Sequence, residues 1–224
     1  MSSSALTEQD VADYLAAHPD FFGRHPELLG DLALPHPTGG GAISLVERQS
    51  SVLRERIKAL EARMAELIRH GQENDAIADK LTDWSRHLLL QGSAGDMPEV
   101  VVEELKRIFD VPYGAVRLWR VTADYSHLPA ASVVGDDAAA LANSMLSPYC
   151  GANVGFDAAS WLTHNPGEVQ SLVMLPLRAA GESQTFGLVV LGSPDKERFH
   201  VAMGTAFLRR MSDLASAALV RLTR

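Results

Sequence analysis

Cysteine is nearly absent from this sequence, with Cys150 the only one in 224 residues. An intramolecular disulfide framework and a cysteine-rich zinc site are thereby excluded. Long apolar runs are missing as well: the stretch LVVL at 188–191 is far short of the roughly 20 residues that cross a bilayer as a helix. The opening MSSSALTEQD has neither the basic nor the apolar segment of a secretory signal. The expectation is a cytoplasmic chain with no membrane anchor of its own. Clustered positive charge is also lacking, since the net charge is −8. Without a Lys/Arg stripe to release counterions from a duplex, no direct nucleic-acid binding is expected. Neither a glycine-rich phosphate loop nor a paired-carboxylate or Ser/His/Asp spacing stands out, so the chain reads as no enzyme.

What is present is a folded composition, 46% apolar, and one dominant periodic stretch. From about residue 43 to 90 the apolar residues hold a heptad register, with Ile57 and Met64 at a and Leu53, Leu60 and Leu67 at d. The alternating 4, 3 spacing puts these five on one stripe, too narrow for a globular core and suited to a partner helix. Residues 43–90 carry eight acids and eight bases, which fill the outer positions as a solvated helix flank requires. Gly71 at a and Asn74 at d interrupt the seam, and a kink, a register switch or the end of the coiled coil is expected there. Beyond them Ile77, Leu81, Trp84, Leu88 and Leu89 form a broader face, suited to packing on a globular domain.

The chain therefore divides into a short helical, turn-rich segment at 1–42, a long dimerising helix at 43–90, and an α+β domain at 91–224. In the first, Thr7 is placed to cap a short helix that stops near His18, ahead of Pro19. Phe21, Phe22, Leu28, Leu29, Leu32 and Leu34 follow between glycines and prolines, more apolar surface than water tolerates, and these turns should dock on the long helix or its dimer mate. His18, His25 and His36 each precede a proline and read as turn histidines, not as a metal set.

In the last segment Asp96 and Pro98 open an amphipathic helix through Phe109. Residues 113–121 read as a strand and 128–134 as a weaker one, followed by an alanine-rich helix at 136–146. Residues 147–166 have little periodicity and read as a structured loop over a sheet. Two apolar β runs, 170–177 and 185–192, are joined by the polar loop AAGES, and a helix from about 200 to 222 closes the chain.

The stretch SLVMLPLRAAGESQTFGLVVLGSPDKERF followed by a helix resembles the close of a GAF domain, the PAS-like sensor fold of an antiparallel sheet backed by helices. The N-terminal YLAAHPDFFGRHPELLGDLALPH and GGGAISLVERQSSVLRERIKALEARMAELIRHGQEND are similar to the bacterial family catalogued as domain-of-unknown-function family 484. That resemblance implies a cytoplasmic bacterial protein, GAF-like with a helical N-terminal extension, and no particular activity or cofactor. Its members are often encoded near a site-specific tyrosine recombinase and an amino-acid-pathway epimerase.

The GAF resemblance also implies where a ligand would lie, between the sheet and its overlying loop. The matching wall is Trp119, Met145, Tyr149, Phe156, Trp161 and Met174, with Arg117 or His164 as polar anchors. The same residues would serve equally as core. Bilin-attaching GAF domains carry a histidine directly after the cysteine, whereas Gly151 follows Cys150; the sulfoxide-reducing GAF enzymes use several cysteines. The expectation is a regulatory homodimer, paired through the long helix and open to a small molecule, with a protein partner as its output. The alternative is a structural adaptor whose core is filled by side chains.

Overall fold

The computed structural model describes residues 7–31, 45–200 and 205–223. The chain forms two compact units, Met1–Glu61 and Ala62–Arg224. In the first, α1 (Glu8–Ala17), α2 (Phe21–Arg24) and α3 (Pro26–Asp31) follow one another through tight turns. Thr7 caps α1 as expected: its hydroxyl accepts the Asp10 N–H at 3.2 Å, and the Asp10 carboxylate accepts the Thr7 N–H at 2.8 Å. Two orphan donors of the first turn are thus satisfied reciprocally. The helix ends at His18, whose ring stacks on Tyr14 at 4.3 Å, while Tyr14 and Phe21 meet edge to face at 6.0 Å. Leu32 and Leu34, expected to pack with these aromatics, lie outside the described residues.

The helix α4 spans Leu45–Leu90. Residues 43 and 44, expected to begin it, lie outside the described residues. Gly71 and Asn74 leave it α-helical, because a mid-helix glycine costs only ~1 kcal/mol relative to alanine and the ladder on either side is long. The five seam residues are all exposed on the single chain, from 53% at Ile57 to 71% at Leu67. Further along, Leu81, Trp84 and Leu88 are buried, whereas Ile77 and Leu89 are exposed. The packing face of this end is therefore narrower than the sequence suggested, a stripe of d positions widened by Trp84.

The second unit is built on a four-stranded antiparallel sheet in the order β1-β4-β3-β2, with β1 Tyr113–Leu118, β2 Tyr149–Ala152, β3 Ser171–Arg178 and β4 Thr185–Ser193. Both central strands are buried along nearly their whole length, so both faces of the sheet need cover. One face packs on the end of α4, on α5 (Met97–Phe109) and on α7 (Thr205–Leu219), around Trp84, Leu105, Leu175, Val189 and Met211. The other is covered by α6 (Asp136–Ser144) and the 3-10 turn Asp157–Trp161, around Met174, Leu188 and Val190. The strands approach closely at Gly187, where a Cβ would stand 2.7 Å from the Arg117 carbonyl oxygen and 2.6 Å from a Leu118 methyl.

Two expectations fail. The weaker strand expected at 128–134 is absent; Pro129–Ala131 forms a 3-10 turn, since Pro129 presets a helical φ and donates no ladder bond. The expected loop at 147–166 contributes the edge strand β2, paired with β3 from Tyr149 opposite Met174 to Ala152 opposite Ser171. The other elements fall within a few residues of their expected bounds, apart from the start of the last helix, expected near residue 200, where residues 201–204 lie outside the described residues.

Trp84 fixes the end of α4 to the domain. It is fully buried, and its indole N–H donates to the Val101 carbonyl on α5 at 3.3 Å. Trp84→Ala should lower unfolding free energy by about 3–5 kcal/mol in urea denaturation, as truncating a buried aromatic does; a loss under 1 kcal/mol would mean that α4 is only laid against the core.

Candidate functional site

The face covered by α6 collects most of the residues singled out from the sequence. Trp119, Met145, Tyr149, Phe156, Trp161 and Met174 belong to one apolar cluster with Leu188 and Val190. The strand period explains this gathering. Residues 113, 115, 117 and 119 of the first edge share a face, and pairing sets Arg117 opposite Leu188 and Tyr149 opposite Met174. Tyr149 and Phe156 meet edge to face at 5.1 Å, and the Tyr149 hydroxyl donates to the Ala152 carbonyl at 2.8 Å. Trp119 donates its indole N–H to the Thr185 carbonyl at 2.9 Å. The polar ends of Trp119 and Tyr149, both half-buried, are thus spent on backbone.

The two suggested anchors behave differently. Arg117 is half-buried, its guanidinium carbon 5.9 Å from the centre of the Trp161 ring, and it donates to the Val116 carbonyl at 3.1 Å. Burial draws its pKa below the ordinary arginine value. His164 is exposed and stands outside the apolar cluster.

Two cavities open at the margin of this face. The larger, about 490 Å³, is lined by Asn153, Phe156, Asp157, Pro166 and Gln170 among others. The smaller, about 200 Å³, lies between α6 and the loop, against Asp137, Leu141, Phe156 and Leu188. The Asn153 amide holds the loop in shape: it donates to the Val169 carbonyl at 2.9 Å and accepts from the Gly155 and Phe156 N–H groups. Gln170 donates to the Gly167 carbonyl at 2.7 Å.

Arg178, at the end of β3, was not suggested by the sequence. Its guanidinium donates to the carbonyls of Ala142, Asn143 and Met145 at 3.1, 3.2 and 2.7 Å, satisfying the orphan acceptors at the C-terminus of α6. Asn143 in turn accepts the Thr185 N–H and hydroxyl at 2.7 and 2.8 Å. The cover is therefore latched to the β3–β4 hairpin from both strands. The same arginine reaches the opposite face through its backbone, where its N–H donates to the Ser216 hydroxyl of α7 at 3.1 Å. Beside it the Ser212 hydroxyl donates to the Pro176 carbonyl at 2.6 Å. An arginine directly after an apolar strand carries no signal that it caps a helix 35 residues earlier in the chain, given by Asn143.

Cys150 is buried on β2, and burial pushes its thiol above the ordinary cysteine value. A thiol held protonated is a poor nucleophile. Among the described residues no group of three or more His, Cys, Asp or Glu side chains is placed to hold a metal ion. No described helix is long and apolar enough to cross a membrane.

Residues 1–223 match the family described as "Protein of unknown function, DUF484". The chain belongs to this family. A relative along the whole length is the uncharacterized protein YigA of Salmonella typhimurium, 25% identical over 225 residues, covering 96% of this chain and 93% of that one. YigA of Escherichia coli K12 is 36% identical over 95 residues, 41% of this chain and 40% of its own. Among solved structures, the chain is similar to the GAF domain of a putative sensor histidine kinase from Pseudomonas syringae pv. tomato. The match has a TM-score of 0.45 at 16% identity and covers 68% of this chain and 91% of that one. It is similar too to the GAF domain of a phosphoenolpyruvate-protein phosphotransferase from Coxiella burnetii, with a TM-score of 0.48, 9% identity, and 65% and 93% of the two chains covered.

Arg178→Ala leaves the three α6 carbonyls without their donor. The expected result is a loss of about 1–3 kcal/mol in chemical denaturation, with faster amide hydrogen exchange in α6 than in α5. Uniform acceleration in both helices would show that Arg178 holds the whole domain and not its cover.

Proposed function

We propose that this protein is a non-catalytic regulatory module: a homodimer joined through α4, whose α6-covered face takes a small molecule and whose output is a protein partner. One observation carries the reading. A single helix exposes an apolar stripe, Leu53 to Leu67, and buries Trp84 in the domain core further along. Rearrangement of that core cannot leave the helix untouched, and a helix with a bare seam is fit to pass the change to another chain. The parts are taken as 1–42, 43–90 and 91–224, with the weak seam at Gly71 and Asn74 as the pivot. The two cavities beside Phe156 supply room for a ligand of modest size.

A second reading is favoured by the dense aromatic cluster on the same face. If Trp119, Phe156, Trp161 and Met174 simply fill the space, the module is a structural adaptor that binds no small molecule. Native mass spectrometry of the purified protein distinguishes the two, since it reports oligomer mass and retained ligand together. A dimer carrying additional small-molecule mass supports the regulatory reading. A bare dimer with no thermal stabilisation across a metabolite panel supports the adaptor, and a monomer at micromolar concentration removes the dimeric regulatory reading.

Closing the gap in the seam gives an independent check. The double change Gly71→Leu and Asn74→Leu removes a helix penalty of ~1 kcal/mol at the glycine and adds apolar contact at a and d, so the dimer dissociation constant should fall about tenfold or more. An unchanged constant in analytical ultracentrifugation would show that the register is not used there.

A further inference from the structure

The geometry points to a second copy of this chain, parallel and in register, as the occupant of the exposed α4 stripe. The inference rests on the dimer reading above and adds to it the direction of the pairing. Two features of the helix bear on the pairing, the first on the number of strands and the second on their direction.

The first is the kind of residue at the seam. Ile57 stands at a, and Leu53, Leu60 and Leu67 stand at successive d positions. Within parallel coiled coils, a β-branched residue at a with leucine at d favours two strands over three or four. All four are exposed on the single chain by half or more of their surface, so the seam is presented and not consumed internally.

The second is the charge on the flanks. The g row reads Gln49, Arg56, Arg63 and His70, and the e row Arg54, Glu61, Ile68 and Asp75. In a parallel pair each g residue faces the e residue five positions on in the partner. Arg56 then meets Glu61, His70 meets Asp75, Gln49 meets Arg54 and Arg63 meets Ile68, with no like-charge pair among them. In an antiparallel pair g faces g, and that row holds two arginines, a histidine and no acid. His70 already lies 3.7 Å from Glu66 and 3.4 Å from Glu73 of its own helix, so Arg56 and Glu61 are the deciding pair. Both are exposed.

A parallel, in-register dimer brings the two copies of α4 together at equal depth, so that each Trp84 anchor follows the seam at the same distance.

Disulfide trapping reads the direction without depending on affinity. Leu53→Cys and Leu67→Cys are made separately in the full chain, with the wild-type protein and its buried Cys150 as the background control. Parallel in-register pairing predicts that each variant forms a disulfide homodimer alone under mild oxidation. Antiparallel pairing sets a positions against d positions, so it predicts no self-linking and linking of Leu53→Cys only with an a-position variant such as Ile57→Cys or Met64→Cys. Linking of Leu53→Cys with Leu60→Cys alone would show a parallel pair shifted by one heptad. The last two outcomes overturn the inference while leaving a dimer; light scattering that finds only monomer overturns the dimer itself.

A charge exchange supplies the second arm. Arg56→Glu and Glu61→Arg should each raise the dimer dissociation constant about fivefold or more at low salt, and the double exchange should restore it. In an antiparallel pair Arg56→Glu would tighten the dimer by removing like charges from the g row, which is the reverse sign.

Discussion

The strands β3 and β4 have almost no face that can be left in water. Every residue from Ser171 to Leu177 and from Thr185 to Ser193 is buried, and this one constraint accounts for most of the arrangement around them. A sheet apolar on both sides needs two layers of cover. The first comes from α5, α7 and the end of α4, the second from α6 and the 3-10 turn after β2. Recruiting the end of α4 to the first layer is what ties a helix of 46 residues to the domain. The 3-10 turn at Pro129 stands beside the outer edge of β1, where Arg117 reaches the Pro129 carbonyl at 3.4 Å. An edge that would otherwise present unpaired backbone is thereby partly covered.

Covering helices create their own cost, because their last carbonyls end in or near apolar surroundings. Two arginines meet it. Arg198 donates to the Phe109 and Asp110 carbonyls at 2.6 and 3.2 Å, closing α5 where Asp110 turns left-handed at φ 52°. Arg178 does the same for α6. The two differ in what else they hold. Arg178 lies where the β3–β4 register shifts, and its own backbone is bonded to α7 on the far side of the sheet. A displacement of α6 therefore has a hydrogen-bonded path to α7 through one residue, whereas the central strands themselves are locked by packing. That path joins the proposed ligand face to the face on which α4 is anchored, using groups whose geometry is fixed by the fold.

How much of this was legible in the sequence depends on the size of the local signal. β3 and β4 are long, rich in Leu and Val and bounded by a loop with Gly181 at φ +80°, so their period and ends could be read. Thr7 and Asp10 announce the first helix through a three-residue spacing that has a mechanism. β2 could not be read the same way. Tyr-Cys-Gly-Ala is too short to show alternation, and it is a strand because the edge of β3 offers it a ladder. The segment at 128–134 shows the converse, apolar enough for a strand yet governed by its proline. At the candidate site, the aromatic residues were foreseeable from their place along the strands, but Arg178 and Asn143 were not, since capping across 35 residues is set by the tertiary fold alone.

The long helix shows how one periodicity can serve two environments. Its d positions continue in step from Leu53 through Leu67 and on to Leu81 and Leu88, yet the first group is exposed and the last two are buried in the domain. A heptad stripe suits both, because a partner helix and a sheet-backed core each accept side chains at 3.5-residue spacing over a few turns. In the proposed dimer, what separates the two uses is Asn74 at d and Gly71 at a, with open space around the latter's missing side chain. Apolar residues at these two points would let the seam run on unbroken from the coiled-coil end into the core, and competing registers would gain stability together. In that dimer the polar and empty positions would hold the two uses apart, at a cost in helix stability that the buried Trp84 end, with its indole bonded to α5, is well placed to offset.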